Sequence, residues 1–131
     1  MYKKLIEEAL KARKNAYCPY SGFAVGAALL CEDGKIFTGC NVENSAAAPN
    51  CAERTAFFKA VSEGCQKFRT IAIVGAKKEL EYPKEYCYPC GVCRQVMTEF
   101  CDDSFEIISA INESDYEIHT LDEIMPFAFK L

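Results

Sequence analysis

Two short cysteine-containing segments constrain this chain more than any other feature. The first is Cys51-Ala52-Glu53-Arg54, and the second is Pro89-Cys90-Gly91-Val92-Cys93. Each segment begins a stretch in which apolar residues recur three and four positions apart, which is the spacing of an amphipathic helix. The three cysteines are therefore predicted to lie in the first turns of two helices, where the helix dipole favours the thiolate form.

A set of three thiolates predicts a zinc site. In catalytic zinc sites three protein ligands occupy a tetrahedron and the fourth position is left for water. We expect Cys51, Cys90 and Cys93 to bind one zinc ion, with the carboxylate of Glu53 beside the coordinated water. Glu53 lies two residues after Cys51, so it can share the site without being a ligand.

Cys87 leaves other interpretations open. Together with Cys51, Cys90 and Cys93 it could complete a closed structural zinc site. A thioredoxin-like redox pair at Cys90 and Cys93 is a further alternative. An iron–sulfur site of the ferredoxin type fits less well, because Met97 stands where the next cysteine is expected. The remaining cysteines are predicted to be small buried hydrophobic residues. They are Cys18, Cys31, Cys40, Cys65 and Cys101.

Composition excludes several classes of protein. The chain has 131 residues, half of them apolar, so residues 1–131 are expected to form a single domain with a core. A formal net charge of −4 argues against a nucleic-acid surface, because phosphate binding needs clustered Lys and Arg. No apolar run approaches the ~18 residues of a membrane span. The N-terminal residues become acidic where a signal peptide is apolar, and we expect a cytoplasmic protein with reduced cysteines.

Alternating helix and strand signals predict an α/β fold with helices on both faces of one sheet. Strands are expected at residues 23–31, 36–42, 68–76, 105–111 and 116–120, with a first helix ending before Pro19 and a last helical turn at residues 121–124. The pair Asp33-Gly34 is typical of a hairpin turn. The link at residues 112–115 is too short for a parallel crossover, so the last two strands are expected to be antiparallel.

The cysteine segments also carry a family resemblance. Cys51-Ala52-Glu53-Arg54 and Pro89-Cys90-Gly91-Val92-Cys93-Arg94-Gln95 together resemble the paired signature of the zinc-dependent cytidine deaminases, in the short branch with three cysteine ligands. Residues 19–29, 39–44 and 121–129 match further parts of these enzymes, so the resemblance covers almost the whole chain. It implies a three-layer α/β/α fold with a mixed five-stranded sheet, and a homotetramer whose subunits share their sites.

The resemblance also implies a reaction. Cytidine and 2′-deoxycytidine are deaminated to uridine and 2′-deoxyuridine in pyrimidine salvage, with a zinc-bound hydroxide as the nucleophile and Glu53 as the proton carrier. Arg54 is expected to hydrogen-bond the cysteine ligands, and Arg94 is a second candidate for the same role. Five residues are implied as substrate contacts: Phe23 on the pyrimidine, Asn41 and Glu43 on the ribose hydroxyls, the N–H of Ala52 on the pyrimidine O2, and Phe129 in a neighbouring subunit's site.

One departure from the family concerns the loop at residues 45–50. Family members usually have an aromatic residue here that reaches across a subunit boundary, whereas this chain reads Ser-Ala-Ala-Ala-Pro-Asn and is about one residue shorter. A wider pocket could admit a bulkier cytosine nucleoside, such as blasticidin S, which is the alternative substrate. A non-catalytic domain stabilised by zinc is the alternative outside the enzymes.

Overall fold

The computed structural model describes all 131 residues. Its five strands form one sheet in the order β2-β1-β3-β4-β5. Strands β3 and β4 are parallel, whereas the other neighbouring pairs are antiparallel, so the predicted mixed sheet is confirmed. The elements in chain order are α1 (Tyr2–Arg13), β1 (Phe23–Cys31), β2 (Ile36–Cys40), α2 (Ala52–Ser62), β3 (Phe68–Lys77), α3 (Gly91–Phe100), β4 (Glu106–Asn112), β5 (Asp115–Thr120) and α4 (Leu121–Ile124).

Helices cover both faces of this sheet, as predicted. On one face Leu5, Ile6 and Ala9 of α1 are buried against apolar side chains of β1, β3 and β4. On the other face Phe57 of α2 and Met97 of α3 belong to a larger apolar cluster with β1, β3 and β4. The sheet is therefore the middle of three layers, and α2 and α3 share the layer opposite α1. No helix combines the length and the apolarity that crossing a bilayer requires.

The end of α1 differs from the prediction. The helix ends at Arg13 rather than just before Pro19, because Tyr17 is already extended and pairs with Val42 in an isolated bridge. Ala16, which the apolar spacing assigned to the helix, is buried instead in a small separate cluster.

The end of β2 differs as well. The strand ends at Cys40 rather than at residue 42, because the backbone of residues 41–42 forms hydrogen bonds with other segments of the chain. Val42 exchanges backbone hydrogen bonds with Asn50, and the carbonyl of Asn41 accepts from the N–H of Tyr17. The boundaries of the remaining predicted strands, and of the last helical turn, agree with the expectation to within one residue.

A buried arginine ties α1 to the two central strands. The Nε of Arg13 donates to the carbonyl of Ala24 at 3.0 Å, and its Nη2 donates to the carbonyls of Ala76 and Lys77 at 3.2 and 2.6 Å. Its Nη1 donates to the carbonyl of Leu80 at 2.8 Å. These acceptors lie at the start of β1, at the end of β3 and just beyond it. This side chain therefore links the start of β1 to the end of β3, from which the chain continues toward α3.

Gly39 of β2 allows α2 to approach the sheet closely. A Cβ atom at this position would lie 2.4 Å from the carbonyl oxygen of Ala52 and 2.7 Å from the backbone nitrogen of Ala56. Both distances are too short for non-bonded atoms, and both partners are backbone atoms that a rotamer change cannot move. The absence of a side chain at Gly39 therefore determines how the first turns of α2, which follow Cys51, sit on the sheet.

Replacing Gly39 with alanine should consequently destabilise the protein. We expect the free energy of unfolding of Gly39→Ala, measured in urea, to fall by about 1–3 kcal/mol, because the added methyl group displaces a packed helix. Gly91→Ala is the matched control, since a Cβ there meets nothing within 4 Å and its unfolding free energy should change little. Equal stability of the parent and Gly39→Ala would contradict this account of the α2 contact.

Candidate metal centre

The three predicted ligands lie at the starts of α2 and α3. Cys51 is the N-cap of α2, Cys90 is the N-cap of α3, and Cys93 lies in the first turn of α3. Their three Sγ atoms all lie within 4.8 Å of one another, and the Sγ atoms of Cys51 and Cys90 are 3.8 Å apart. The backbone N–H of Cys93 donates to the Sγ of Cys90 at 3.5 Å. The positive ends of two helix dipoles therefore meet at one group of sulfurs.

Short polar contacts hold each ligand segment in place. The hydroxyl of Thr55 donates to the carbonyl of Cys51 at 3.1 Å and accepts from the amide of Asn50 at the same distance. In the second segment the Nε of Arg94 donates to the carbonyl of Pro89 at 2.8 Å. Its Nη1 donates to the carbonyl of Ile124, also at 2.8 Å. Arg94 thus fixes the backbone before Cys90, a role that the sequence patterns did not indicate.

The sulfur triad fits zinc in both donor type and spacing. Thiolate sulfur is a common zinc ligand, and Zn–S bonds of ~2.3 Å in a tetrahedron separate two sulfurs by about 3.8 Å. The distance between the sulfurs of Cys51 and Cys90 is the same, 3.8 Å. Cys87 is not a member of this cluster, so the structure contradicts the closed four-cysteine alternative. A redox pair at Cys90 and Cys93 would leave the convergence of Cys51 on them unexplained.

Two of the three thiols have shifted pKa values. The side-chain hydrogen bond with Cys93 lowers the pKa of Cys51 below its ordinary value, and Arg54 acts in the same direction. The same hydrogen bond raises the pKa of Cys93, and burial adds to that rise. Zinc binds thiolates, so any thiol proton that remains on the triad is released when the ion binds.

Arg54 contacts the sulfurs directly. Its Nη2 donates to the Sγ of Cys51 at 3.1 Å, and this hydrogen bond raises the pKa of the guanidinium. The Nε of Arg54 is buried and has no acceptor. A guanidinium beside three sulfurs offsets the negative charge that they carry as thiolates.

Glu53 is buried beside the sulfurs. It lies in the first turn of α2 and only 4% of its surface is exposed. Burial raises the pKa of its carboxyl group to about 7, and the negative charge of Cys51 adds to the rise. A carboxyl group with a pKa near neutrality can both accept and donate protons at physiological pH.

Phe23 lies close to this group through Cys87. A Cβ at Gly75 would lie 2.7 Å from the Sγ of Cys87 and 3.0 Å from the Cε2 of Phe23, so these two side chains cover the same glycine. Burial raises the pKa of Cys87 to about 12, and the charges of Glu53 and Cys51 contribute to that rise. The ring of Phe23 is 41% exposed and can therefore meet a ligand.

Asn41 and Glu43 follow β2 rather than ending it. Asn41 binds the backbone at the start of β1, and Glu43 binds the turn just before it. The Oδ1 of Asn41 accepts from the N–H of Val25 at 2.9 Å, and its Nδ2 donates to the carbonyl of Phe23 at 2.8 Å. The Oε1 of Glu43 accepts from the two N–H groups of residues 20–21 at 2.9 and 3.1 Å. Both side chains thus position the segment around Phe23, and each retains polar capacity for a further partner.

The other two predicted substrate contacts occupy different environments. Ala52 is fully buried as the first residue of α2, where its N–H has no acceptor within the helix. Phe129 is 66% exposed. It lines a surface hollow of about 350 Å³ next to Phe58 and Leu131, and its carbonyl accepts from the Nε2 of Gln95 at 2.6 Å. The ring of Phe129 is thus free to meet another molecule.

Comparison with known proteins agrees with this geometry. Residues 1–109 match the family model described as the cytidine and deoxycytidylate deaminase zinc-binding region. The chain belongs to this family.

Individual relatives match over nearly their whole length. The cytidine deaminase of Sporosarcina psychrophila is 52% identical over 128 residues, which is 97% of this chain and 90% of the relative. The cytidine deaminase of Halalkalibacterium halodurans is 46% identical, over 95% of this chain and 91% of the relative. The crystal structure of cytidine deaminase from Burkholderia pseudomallei superposes with a TM-score of 0.88 at 42% identity, covering 98% of this chain and 99% of that one. The chain is thus a zinc-dependent hydrolytic deaminase, and the sulfur triad accounts for one zinc ion per chain.

Arg54 should determine how tightly this zinc is held. We expect Arg54→Gln to bind zinc about 10- to 100-fold more weakly than the parent, because the thiolates lose a neighbouring positive charge and a hydrogen-bond donor. Competition with a chromogenic chelator measures the change. Arg69→Gln, at an exposed position of β3, is the control and should keep the parent affinity. An unchanged zinc affinity in Arg54→Gln would remove Arg54 from the metal centre.

Proposed function

We propose that this enzyme deaminates cytidine and 2′-deoxycytidine hydrolytically, releasing ammonia and leaving uridine or 2′-deoxyuridine. The observation that carries the proposal is the convergence of three thiol sulfurs beside the buried carboxyl group of Glu53, whose pKa burial raises to about 7. The full-length match to relatives named cytidine deaminase supports the choice of nucleoside.

The reaction needs water at C4 of the cytosine ring, a proton on N3, and a proton on the departing amino group. Zinc, when bound, lowers the pKa of water toward ~7. Glu53 is the group that moves the protons. Its carboxylate takes one proton from the attacking water and delivers it to N3. It then takes the second proton from the new hydroxyl on C4 and passes it to the amino group, which leaves as ammonia when the C4–N bond breaks. Its burial excludes bulk water from these transfers, and the helix start beside it favours the ionised form.

Substrate binding is assigned to the polar and aromatic groups around Glu53. The exposed ring of Phe23 packs on the pyrimidine, and the N–H of Ala52 donates to O2. Asn41 binds a ribose hydroxyl with its remaining N–H donor, and Glu43 binds one with its remaining carboxylate oxygen. Support for the ribose assignment is that both side chains bind the backbone of residues 20–25, the segment that carries Phe23.

Removing the carboxylate should separate metal binding from chemistry. We expect Glu53→Gln to retain its zinc and its fold but to lose cytidine turnover by about 10³-fold or more, because one group serves successive proton transfers. An ultraviolet assay follows the loss of the cytosine chromophore. Glu63→Gln, an exposed carboxylate at the other end of α2, is the matched control.

Three results would contradict the proposal. Turnover of Glu53→Gln within tenfold of the parent would exclude Glu53 as the proton carrier. A parent protein that leaves cytidine and 2′-deoxycytidine intact but converts blasticidin S would favour the bulkier substrate that the short loop at residues 45–50 suggests. An intact, zinc-loaded parent inactive on all three nucleosides would favour a non-catalytic domain.

The active assembly is proposed to be a homotetramer in which Phe129 enters a neighbouring subunit's site. Large exposed apolar side chains near the C-terminal end support this, since surfaces of this kind are typically covered by a partner. They are Phe127, Phe129 and Leu131 at 105, 66 and 108% exposure, with Phe58 of α2 beside them at 48%.

Shared sites make a complementation experiment possible. Phe129→Ala keeps its own Glu53 but cannot supply the ring, whereas Glu53→Gln supplies the ring but cannot move protons. We expect each homotetramer to be impaired, and we expect hybrids formed by mixing and reassembling the two to regain part of the parent turnover. Analytical ultracentrifugation of the same samples tests for the tetramer. Parent-like activity of Phe129→Ala alone, or hybrids no more active than the sum of their components, would refute the shared site.

The proposed compartment is the cytoplasm, with a role in pyrimidine salvage. All nine cysteines are free thiols, and thiols persist in a reducing environment.

A further inference from the structure

A second group of metal-type side chains lies away from the deaminase site. It forms where the turn between β1 and β2 meets the connection from α2 to β3. The Sγ of Cys31, a carboxylate oxygen of Asp33 and the Sγ of Cys65 all lie within 4.8 Å of one another. None of these residues has a part in the reaction proposed above.

The group opens into a cavity of about 390 Å³ on the protein surface. Cys31, Asp33 and Cys65 line it together with Glu32, Gly64, Gln66 and Lys67. The cavity is far larger than a cation, so water molecules or the nearby oxygen-bearing side chains can complete a coordination shell.

The backbone on both sides of the group is hydrogen-bonded into a fixed arrangement. Around the turn, the N–H of Cys31 donates to the carbonyl of Lys35 at 2.9 Å, and the N–H of Gly34 donates to the carbonyl of Cys31 at 3.0 Å. The N–H of Glu32 donates to the carbonyl of Lys67 at 3.0 Å and so links the two segments. The fold itself therefore brings together the backbone segments that carry the three ligands.

We infer that Cys31, Asp33 and Cys65 form a second binding site for a thiophilic divalent cation of the zinc class. Two thiolates and one carboxylate carry three negative charges, so a divalent ion leaves a net charge of −1. The Nζ of Lys35, 4.0 Å from the Oδ2 of Asp33, and the side chain of Lys67 lie where they offset this charge. Sulfur ligands select zinc over magnesium or calcium.

This site binds more weakly than the triad at α2 and α3. The triad offers three sulfurs at two helix starts, and Arg54 donates a hydrogen bond to one of them. Here only two of the three ligands are sulfurs, and the third is a carboxylate on an exposed turn. The bound ion would link the β1–β2 turn to the segment that follows α2. Its function would therefore be structural and not catalytic.

Zinc content at defined free zinc tests the inference. The protein is dialysed against buffers of increasing free zinc concentration that contain a phosphine reductant. The number of zinc ions per chain is then measured by inductively coupled plasma mass spectrometry. We expect the parent to reach one zinc at low free zinc and two at higher free zinc. Cys65→Ser and the exposed-residue variant Asp33→Asn should lose the second zinc or require at least tenfold more free zinc to bind it.

A matched control and an independent readout separate this site from the deaminase centre. Cys40→Ser removes a half-buried thiol that belongs to neither metal cluster, and it should still bind two zinc ions. Cys65→Ser should retain the parent rate of cytidine turnover, because the second site takes no part in the reaction. The zinc measurement therefore tests the second site independently of the proposed function. One zinc per chain in the parent over the whole range would overturn the inference, as would an unchanged second ion in both Cys65→Ser and Asp33→Asn.

Discussion

Three sulfur atoms held within 4.8 Å of one another are the constraint on which the site depends. As thiolates they repel one another, and as thiols they are poor ligands, so the protein has to supply positive charge around them. It does so with the ends of two helix dipoles and with the guanidinium of Arg54, whose Nη2 lies 3.1 Å from the Sγ of Cys51. The same charges that prepare the sulfurs for zinc surround Glu53. The metal ligands and the carboxyl group that we propose as the proton carrier therefore share one electrostatic environment.

The sheet brings these groups together. Helices α2 and α3 lie on one face, and their first residues carry the ligands although the two segments are far apart in the chain. The side chain that is missing at Gly39 allows the start of α2 to rest on β2. At the start of α3, Arg94 holds the carbonyl of Pro89 next to Cys90. Small backbone contacts thus set the distance between sulfurs that a tetrahedral ion requires.

Local patterns predicted the parts of the structure that depend on short sequence separations. Apolar periodicity located the two cysteine helices, the Asp33-Gly34 turn predicted the first hairpin, and the short link at residues 112–115 predicted the last antiparallel pair. All of these follow from the conformational preferences of a few neighbouring residues, which a single sequence displays. The spacing of Cys90 and Cys93 likewise indicates that the two thiols lie one helical turn apart.

Features that depend on contacts between residues far apart in the sequence could not be predicted from local patterns. β2 stops at Cys40 because residues 41–43 bond to Tyr17 and Asn50, and no local propensity reports such competition. Asn41 appeared as a substrate contact only, whereas its side chain also bridges Phe23 and Val25. Cys31 and Cys65 were expected to be separate interior residues. Their proximity depends on how the β1–β2 turn meets the end of α2, which only the folded chain reveals.

The hydrogen bonds of Arg13 stabilise the fold in a way that depends little on pH or salt concentration. Every acceptor of its guanidinium is a main-chain carbonyl, so no carboxylate exists whose protonation would release it. Mobile ions screen charge pairs more effectively than they screen buried dipoles. The planar spread of donors also matters, because a lysine at this position would present a point charge to oxygens that lie in several directions. The junction of α1 with the central strands is thus insulated from solution conditions to which the metal centre, with its exchangeable protons, must respond.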